Sequence, residues 1–499
     1  MRALGIEEIR QAVGGQWVGA GPGGVTAGAA DSVADVSSAR VAGILPARNA
    51  GVPARVPFEV GTVTGVSTDT KSIRPGELFV ALKGERFDAH AFLPQAAAAG
   101  AAAAIVRLGA EGVDAVADFF PGGAIAVADT GKALEQLGAY YRRTLDATVI
   151  AVTGSNGKTT VKRMIHHILA KRLRGSCSPK SFNNNIGVPL TLLGADEADQ
   201  YVVCEVGSNA PGEIAALGAI CQPDIAVITS VGRTHLERLG SIEGVAAEKA
   251  SLLASLRPNA AAITWGDSPV LDIALEPYSC PMVRFGEHAR NDLRLTGYES
   301  NGLSQRFEVN AQATVNLPLP GRHNASNALS AIAVAMQMGF SLQEAAAAMA
   351  DFVAVDGRLQ AILCGSIQII NDAYNANPTS MLAAADVLAE VTGRRRVMIA
   401  GDMREQGPAS QDIHRTTGND MAARKIDLII GVGELGQYIA AGASGTCETA
   451  AFASFDEAMR LAPAKLRDGD MVLLKGSRAM AMERLLDPIR ARFATGQRQ

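Results

Sequence analysis

The stretch "TVIAVTGSNGKTT", Thr148 to Thr160, restricts what this chain can fold into more than any other. Thr148 to Val152 is a short apolar, β-branched run that predicts a buried strand, and Gly154 and Gly157 allow a tight turn whose backbone N–H groups converge on an anion. Val161, Met164, Ile165, Ile168 and Leu169 then fall on one helical face, so a helix starts where the turn ends. Strand, glycine turn and helix N-terminus together make a phosphate site, because the dipole and free N–H groups of the first turn attract negative charge. Lys158 is placed to reach the β/γ-phosphates of a nucleotide and Thr159 to ligate magnesium. The loop departs from the common G-x-x-x-x-G-K-[ST] pattern, since Val152 occupies the position of the first glycine and the early glycine is Gly154. The plainer alternative is a glycine-rich turn with an incidental Gly-Lys-Thr.

A parallel strand followed at once by a helix implies an α/β fold, and 499 residues suffice for about three such domains. Their formal net charge of −4 gives no reason to expect nucleic acid or an anionic membrane as a partner. The six cysteines are scattered without a C-x-x-C pair, so neither a zinc site nor a disulfide scaffold is expected, and a reducing cytoplasm fits. The N-terminal "MRALGIEEIRQAVGG" carries acidic residues where a signal peptide needs an apolar core, and the alanine-rich runs are too interrupted to span a bilayer. A soluble intracellular protein without membrane insertion is expected.

Three blocks are expected along the chain. The first, 1–145, reads as strand, loop, helix and strand through "GELFVALKGERFDAHAFLPQAAAAGAAAAIV"; it carries a Gly/Ala/Pro-rich insertion at 19–57 with too few large apolar residues to build a core element. The second, 146–353, alternates strands such as "QYVVCEVG", "DIAVITS" and "AAAITWG" with helices, as a parallel sheet requires. In the third, 354–499, "RRVMIAGDM", "IDLIIGVGE" and "GDMVLLKGSR" predict a doubly wound sheet.

Ligands gather at the carboxyl ends of strands in such sheets, so the polar residues there are the site candidates. Glu205 ends "YVVCE", where a phosphate-bound magnesium needs an oxygen ligand; a capping or solvated glutamate is the alternative. His235, just after "DIAVITS", either faces a second metal or is an ordinary surface histidine. Lys249 lies on the apolar stripe of Val245, Leu252, Leu253 and Leu256, expected on one helix. It either snorkels to the rim or, with its amine pKa lowered by burial, adds carbon dioxide to become a metal-binding carbamate.

"TGSNGKTT", "NNNIGVPLTLL", "HLERLGSIEGVAAEK", "LPGRHNASNALSAIA", "NDAYNANPTSM", "GDMREQG" and "LLKGSRAMAME" follow one another in an order that resembles the Mur ligases, from about Val66 to Leu486. The variant glycine loop is the form that family uses. The resemblance implies three domains: a small UDP-binding α/β domain, a central P-loop ATPase-type parallel sheet and a C-terminal Rossmann-like sheet. It also implies ATP and Mg2+ as cofactors, and within the family the chain looks most like the member that adds D-alanyl-D-alanine to UDP-N-acetylmuramoyl-tripeptide. That activity belongs to cytoplasmic peptidoglycan precursor synthesis, hence to cell-wall biogenesis, cell shape and division, and a monomer is expected.

Carried over residue by residue, Gly154, Ser155, Asn156, Gly157, Lys158, Thr159 and Thr160 would hold ATP phosphates, and Asn324 and Asn327 would meet adenine, their alternative being a helix cap plus a surface amide. Arg358 would reach the phosphates from the third domain, with Asp372 near the ribose. Thr159, Glu205, His235 and carbamylated Lys249 would serve the metals, so that Lys158, His235, Lys249 and Arg358 form the catalytic set. Asn183, Asn184, Asn185 and Ser208 would lie at the substrate, and Thr70 and Lys71 at its uridine end, where the family usually has Asp-Ser-Arg and this chain has Asp69, Thr70 and Lys71. Three other readings stand beside this one, of which folylpolyglutamate synthetase is the weakest, since it lacks the first domain. The ligase adding the third amino acid usually carries D-N-P-R, which is not present here, and a P-loop nucleotide switch would have no use for Arg358 or a uridine-type first domain.

Overall fold

A computed structural model describes residues 1–18, 61–116 and 119–493, and the expected insertion at 19–57 lies outside the described residues. The chain forms two compact units, one of Met1–Asp146 with Asn185–Glu197 and the other of Ala147–Asn184 with Ala198–Gln499.

In the first unit, Gln16–Val18, Ala124–Val127, Ala103–Arg107, Leu78–Val80 and Val66–Ser67 lie side by side in that order. All neighbours are parallel except Gln16–Val18, which runs antiparallel to Ala124–Val127. The helix Thr130–Thr144 starts at Asp129, whose carboxylate accepts from the N–H groups of Gly131 and Lys132 at 2.8 and 3.0 Å. Against it packs Gly187–Leu193, a helix from far along the chain; a Cβ on Gly138 would lie 2.8 Å from Pro189, so only glycine permits this approach.

The second unit holds two sheets. Its nine-stranded sheet runs Ala313–Leu317, Gln305–Val309, Leu293–Ser300, Met282–Gly286, Ala261–Trp265, Ile225–Ile228, Thr148–Thr153, Tyr201–Glu205, Gly175–Cys177. The six-stranded sheet runs Gln360–Cys364, Ile367–Asp372, Met471–Lys475, Arg396–Gly401, Leu428–Val432, Glu448–Phe452. Both are parallel where the sequence predicted buried strands followed by helices. Each also has an antiparallel margin, at Leu293–Leu317 and at the hairpin of Gln360–Cys364 with Ile367–Asp372, which that alternation did not signal. Thr148–Thr153 is an interior strand of its sheet, between Ile225–Ile228 and Tyr201–Glu205, and the helix after it, Lys158–Leu169, buries Val161, Met164, Ile165, Ile168 and Leu169 completely, each worth about 2 kcal/mol.

The stripe expected around Lys249 is not carried by a single helix. Ile242–Ala250 is α-helical, Ser251–Ser255 tightens to a 3₁₀ turn, and Leu256 is extended, because the chain is approaching Pro258, which disfavours helix before it. Val245, Leu252 and Leu253 are buried as expected, while Leu256 is only half-buried.

In the six-stranded half, the helices Ser410–Ala422 and Gly436–Ala443 cross at contact distance: a Cβ on Gly418 would lie 2.0 Å from the carbonyl oxygen of Ile439, and one on Gly442 1.9 Å from that of Arg415. Gly418→Ala should therefore lower unfolding free energy by about 1–3 kcal/mol despite alanine's better helix propensity. A denaturation midpoint at or above that of the wild type would show that these helices can separate freely.

Candidate active site

The glycines of the phosphate loop are required by space as well as by conformation. Gly154 has φ +146° and a Cβ there would meet Thr229 Oγ1 at 2.1 Å; Gly157, with φ +84°, caps the helix, and its Cβ would meet Asn327 Oδ1 at 2.4 Å. Val152 is still in the strand, paired with Glu205, which is why no glycine is needed there. Neighbouring strand ends hold the loop. Ser155 N–H donates to Ser230 O at 2.9 Å, Asn156 N–H to Ser230 Oγ at 3.0 Å, and Thr229 Oγ1 to Asn156 O at 2.5 Å. Lys158 Nζ folds back to Gly154 O at 2.7 Å; burial pushes its pKa below the usual lysine range, with Glu205 opposing and Arg358 reinforcing the shift.

Glu205 is almost wholly buried beside this loop. Its Oε2 accepts from Thr159 Oγ1 at 3.0 Å and lies 3.0 Å from Lys162 Nζ, while its Oε1 accepts from Asn183 Nδ2 at 3.1 Å. It is thus neither a solvated glutamate nor a helix cap. Thr160 is buried in the first turn of the loop helix. Arg358 brings a guanidinium to the same place: Nη2 donates to Thr159 Oγ1 at 3.0 Å, and its buried Nε has no hydrogen-bond partner among the described residues.

Asn324 and Asn327 are both buried, so neither is a surface amide. Asn327 Nδ2 donates to Asn324 Oδ1 at 2.9 Å and Asn324 Nδ2 to Pro320 O at 2.7 Å. Asp372 accepts from Lys475 Nζ at 2.5 Å and from Leu359 N–H at 3.2 Å, which ties it to the backbone next to Arg358.

Lys249 does not snorkel. It is 1 % exposed, donates to Ser208 Oγ at 2.7 Å, and has its pKa lowered to about 7, by desolvation first and by Lys158 second. His235 takes up a left-handed backbone conformation, φ +52°, and its Nδ1 lies 2.8 Å from Glu405 Oε2. Its pKa is pushed down by desolvation, against the pull of Glu405. Among the described residues no three His, Cys, Asp or Glu side chains converge as a metal site. The oxygens of Thr159 and Glu205 are nonetheless the hard donors that magnesium takes.

The remaining candidates are spread out. Thr70 and the exposed Lys71 follow the strand Val66–Ser67 in the first unit, in a turn where Asp69 Oδ1 accepts from Lys71 N–H at 2.9 Å. Asn185, also in that unit, donates to Glu135 at 3.3 Å, whereas Asn183 and the exposed Asn184 belong to the second. Sequence reasoning missed Lys162, Lys475 and Asn377, whose Nδ2 donates to Asn156 Oδ1 of the loop at 3.0 Å. Lys162 had a signal, a cation four residues after Lys158 and next to the apolar face of the same helix.

Family models match the chain in three consecutive stretches: the Mur ligase family catalytic domain at 62–142, the Mur ligase middle domain at 152–335 and the Mur ligase glutamate ligase domain at 357–478. The chain belongs to the Mur ligase family. It is 36% identical to the UDP-N-acetylmuramoyl-tripeptide–D-alanyl-D-alanine ligase of Bacillus subtilis, covering 87% of this chain and 95% of that one, and 38% identical to the Escherichia coli ligase of the same name, covering 85% and 93%. Among solved structures, MurF from Acinetobacter baumannii matches with a TM-score of 0.80 at 30% identity, over 98% of this Mur ligase and 99% of that chain. MurF from Thermotoga maritima in complex with ADP matches with a TM-score of 0.76 at 26% identity, over 86% and 98%. The three-domain Mur ligase architecture is therefore the fold of this chain.

In this Mur ligase the depressed Lys249 has a stability consequence. A lysine whose folded pKa falls from 10.5 to about 7 binds fewer protons folded than unfolded between those values, so unfolding free energy rises with pH across that window. Replacing the amine by an uncharged side chain in Lys249→Met should flatten this rise in denaturant titrations at pH 7, 8 and 9. An unchanged slope would mean that Lys249 is charged in the folded protein.

Proposed function

We propose that this chain joins D-alanyl-D-alanine to UDP-N-acetylmuramoyl-tripeptide at the expense of ATP, in cytoplasmic peptidoglycan precursor synthesis. The observation that carries the reading is the meeting of Arg358, from the six-stranded half, with Thr159 of the glycine loop, which brings a cation to the loop that would hold the transferring phosphoryl group. The curated relatives bearing this activity are 36% and 38% identical over nearly all of their own length, which supports it over the ligase for the third amino acid and over a nucleotide switch.

A carboxylate is a poor acyl donor, so the substrate carboxylate attacks the γ-phosphate and becomes an acyl phosphate, with ADP leaving. Lys158, the N–H groups of residues 154–160 and Arg358 stabilise the charge that moves between the oxygens. The acceptor amine then attacks the acyl carbon, the tetrahedral intermediate expels inorganic phosphate, and the amide remains. Mg2+, held by Thr159 and Glu205 and at a second position by His235 and a carbamate on Lys249, would supply electrostatic stabilisation of the phosphates. An amine with a pKa of about 7 supports carbamylation, because the neutral form is the nucleophile toward carbon dioxide. Asn324 and Asn327 would meet adenine, Asp372 the ribose, and Thr70, Lys71, Asn183, Asn184, Asn185 and Ser208 the UDP-peptide. On this reading the domains are 1–145, 146–353 and 354–499 and the enzyme works as a monomer. No helix among the described residues is long and apolar enough to cross a membrane.

The enzyme should form product from UDP-muramoyl-tripeptide, ATP and magnesium only with D-Ala-D-Ala, and not with D-Ala or D-Glu, when products are weighed by mass spectrometry. Addition of a single amino acid would overturn the assignment. Lys158→Ala should reduce ligation by at least about a thousandfold with UDP-substrate affinity unchanged. Arg358→Ala should lower kcat more than ATP affinity, and an equal loss in both would mean that the arginine merely binds nucleotide.

A further inference from the structure

Tyr374, in "NDAYNANPTSM", has no role in the scheme above. It lies between the strand Ile367–Asp372 and the helix Pro378–Ala389, in the half of the second unit that also carries Arg358. Its hydroxyl donates to Ser181 Oγ at 2.6 Å, and Ser181 belongs to the segment that leads from the strand Gly175–Cys177 toward Asn183. Ser181 Oγ is in turn 3.3 Å from Thr159 Oγ1 of the phosphate loop. The ring of Tyr374 lies under Arg358, with the guanidinium carbon 4.1 Å from its centroid. Thr159, Ser181, Tyr374 and Arg358 therefore close a ring that crosses twice between the two sheets.

The two halves of this ring differ in what else is asked of them. Arg358 and Thr159 are the groups assigned to phosphate and magnesium, so the bond between them competes with nucleotide. The bond from Tyr374 to Ser181 has no such competitor. Tyr374 is also fixed to the arginine through the backbone: its N–H donates to Gly357 O at 3.1 Å, and Gly357, at φ +68°, brings the two segments so close that a Cβ there would lie 3.4 Å from Tyr374 N.

We infer that Tyr374 is a positioning residue, carrying Arg358 on its ring and anchoring it through Ser181 to the nucleotide-binding sheet, so that the arginine is aimed at the phosphates when it leaves Thr159. This rests on the ligase reading given above.

A double-mutant cycle of Tyr374→Phe and Ser181→Ala tests it. Each single variant should lower kcat about five- to tenfold with KM for ATP changed less than about twofold, and the double variant should fall no further than the lower single, since both remove the bond between them and Ser181→Ala also loses the contact with Thr159. Tyr374→Leu, which also removes the ring, should lose more than Tyr374→Phe. Multiplying losses in the double variant, or wild-type kcat in Tyr374→Phe, would overturn the assignment. Hydrogen exchange in residues 178–183 and 357–359 gives a readout that does not depend on turnover: it should quicken in both Tyr374→Phe and Ser181→Ala. If the wild type ligates nothing, the ligase reading fails by itself, and the exchange result still decides whether the anchor exists. Unchanged exchange in both variants would remove it.

Discussion

The burial of one carboxylate, Glu205, organises the centre of this molecule. An ionised carboxylate removed from water is tolerated only when its lone pairs are taken up by donors or cations. The fold meets that demand from three directions: the loop hydroxyl of Thr159, the ammonium of Lys162 one helical turn further on, and the amide of Asn183 from the segment after Gly175–Cys177. Lys162 Nζ also donates to Lys180 O, so the same cation ties down the segment that carries Ser181 and Asn183. Satisfying Glu205 thereby sets the relative positions of the phosphate loop and its neighbouring strand end.

Around this carboxylate the protein gathers cations that it only partly satisfies. Lys158 turns back onto a carbonyl, and Arg358 keeps a buried Nε–H without a hydrogen-bond partner among the described residues. Buried cationic groups short of anions are unfavourable in the free protein; on the proposed function they become favourable once phosphate arrives. His235 and Glu405, both in left-handed backbone conformations and 2.8 Å apart, add another contact between the two sheets of the second unit.

Much of the site was legible because its signals are local. Gly154, Gly157, Lys158 and Thr159 lie in one turn, and the apolar spacing of Val161 to Leu169 announced the helix behind them. Lys249 was conspicuous because a cation interrupted an apolar stripe. The ring of Thr159, Ser181, Tyr374 and Arg358 carried no such signal, since its members are far apart in sequence and each has an ordinary residue type for its surroundings. Lys162 was passed over because a lysine in a helix is usually solvated. The antiparallel margins of both sheets were missed for a related reason: short edge strands such as Gln360–Cys364 are half-exposed and lack the continuous apolar runs that mark buried parallel strands.

By itself the sequence determined the strand–loop–helix at 148–169, the parallel α/β class and the order of motifs, because glycine placement and hydrophobic period act over a few residues at a time. Only the tertiary structure decided whether Lys249 is buried or snorkels, which atoms satisfy Glu205, and that Arg358 meets Thr159 across 199 positions of chain. Those outcomes depend on desolvation and on contacts between distant segments, and neither quantity exists until the sheets have packed.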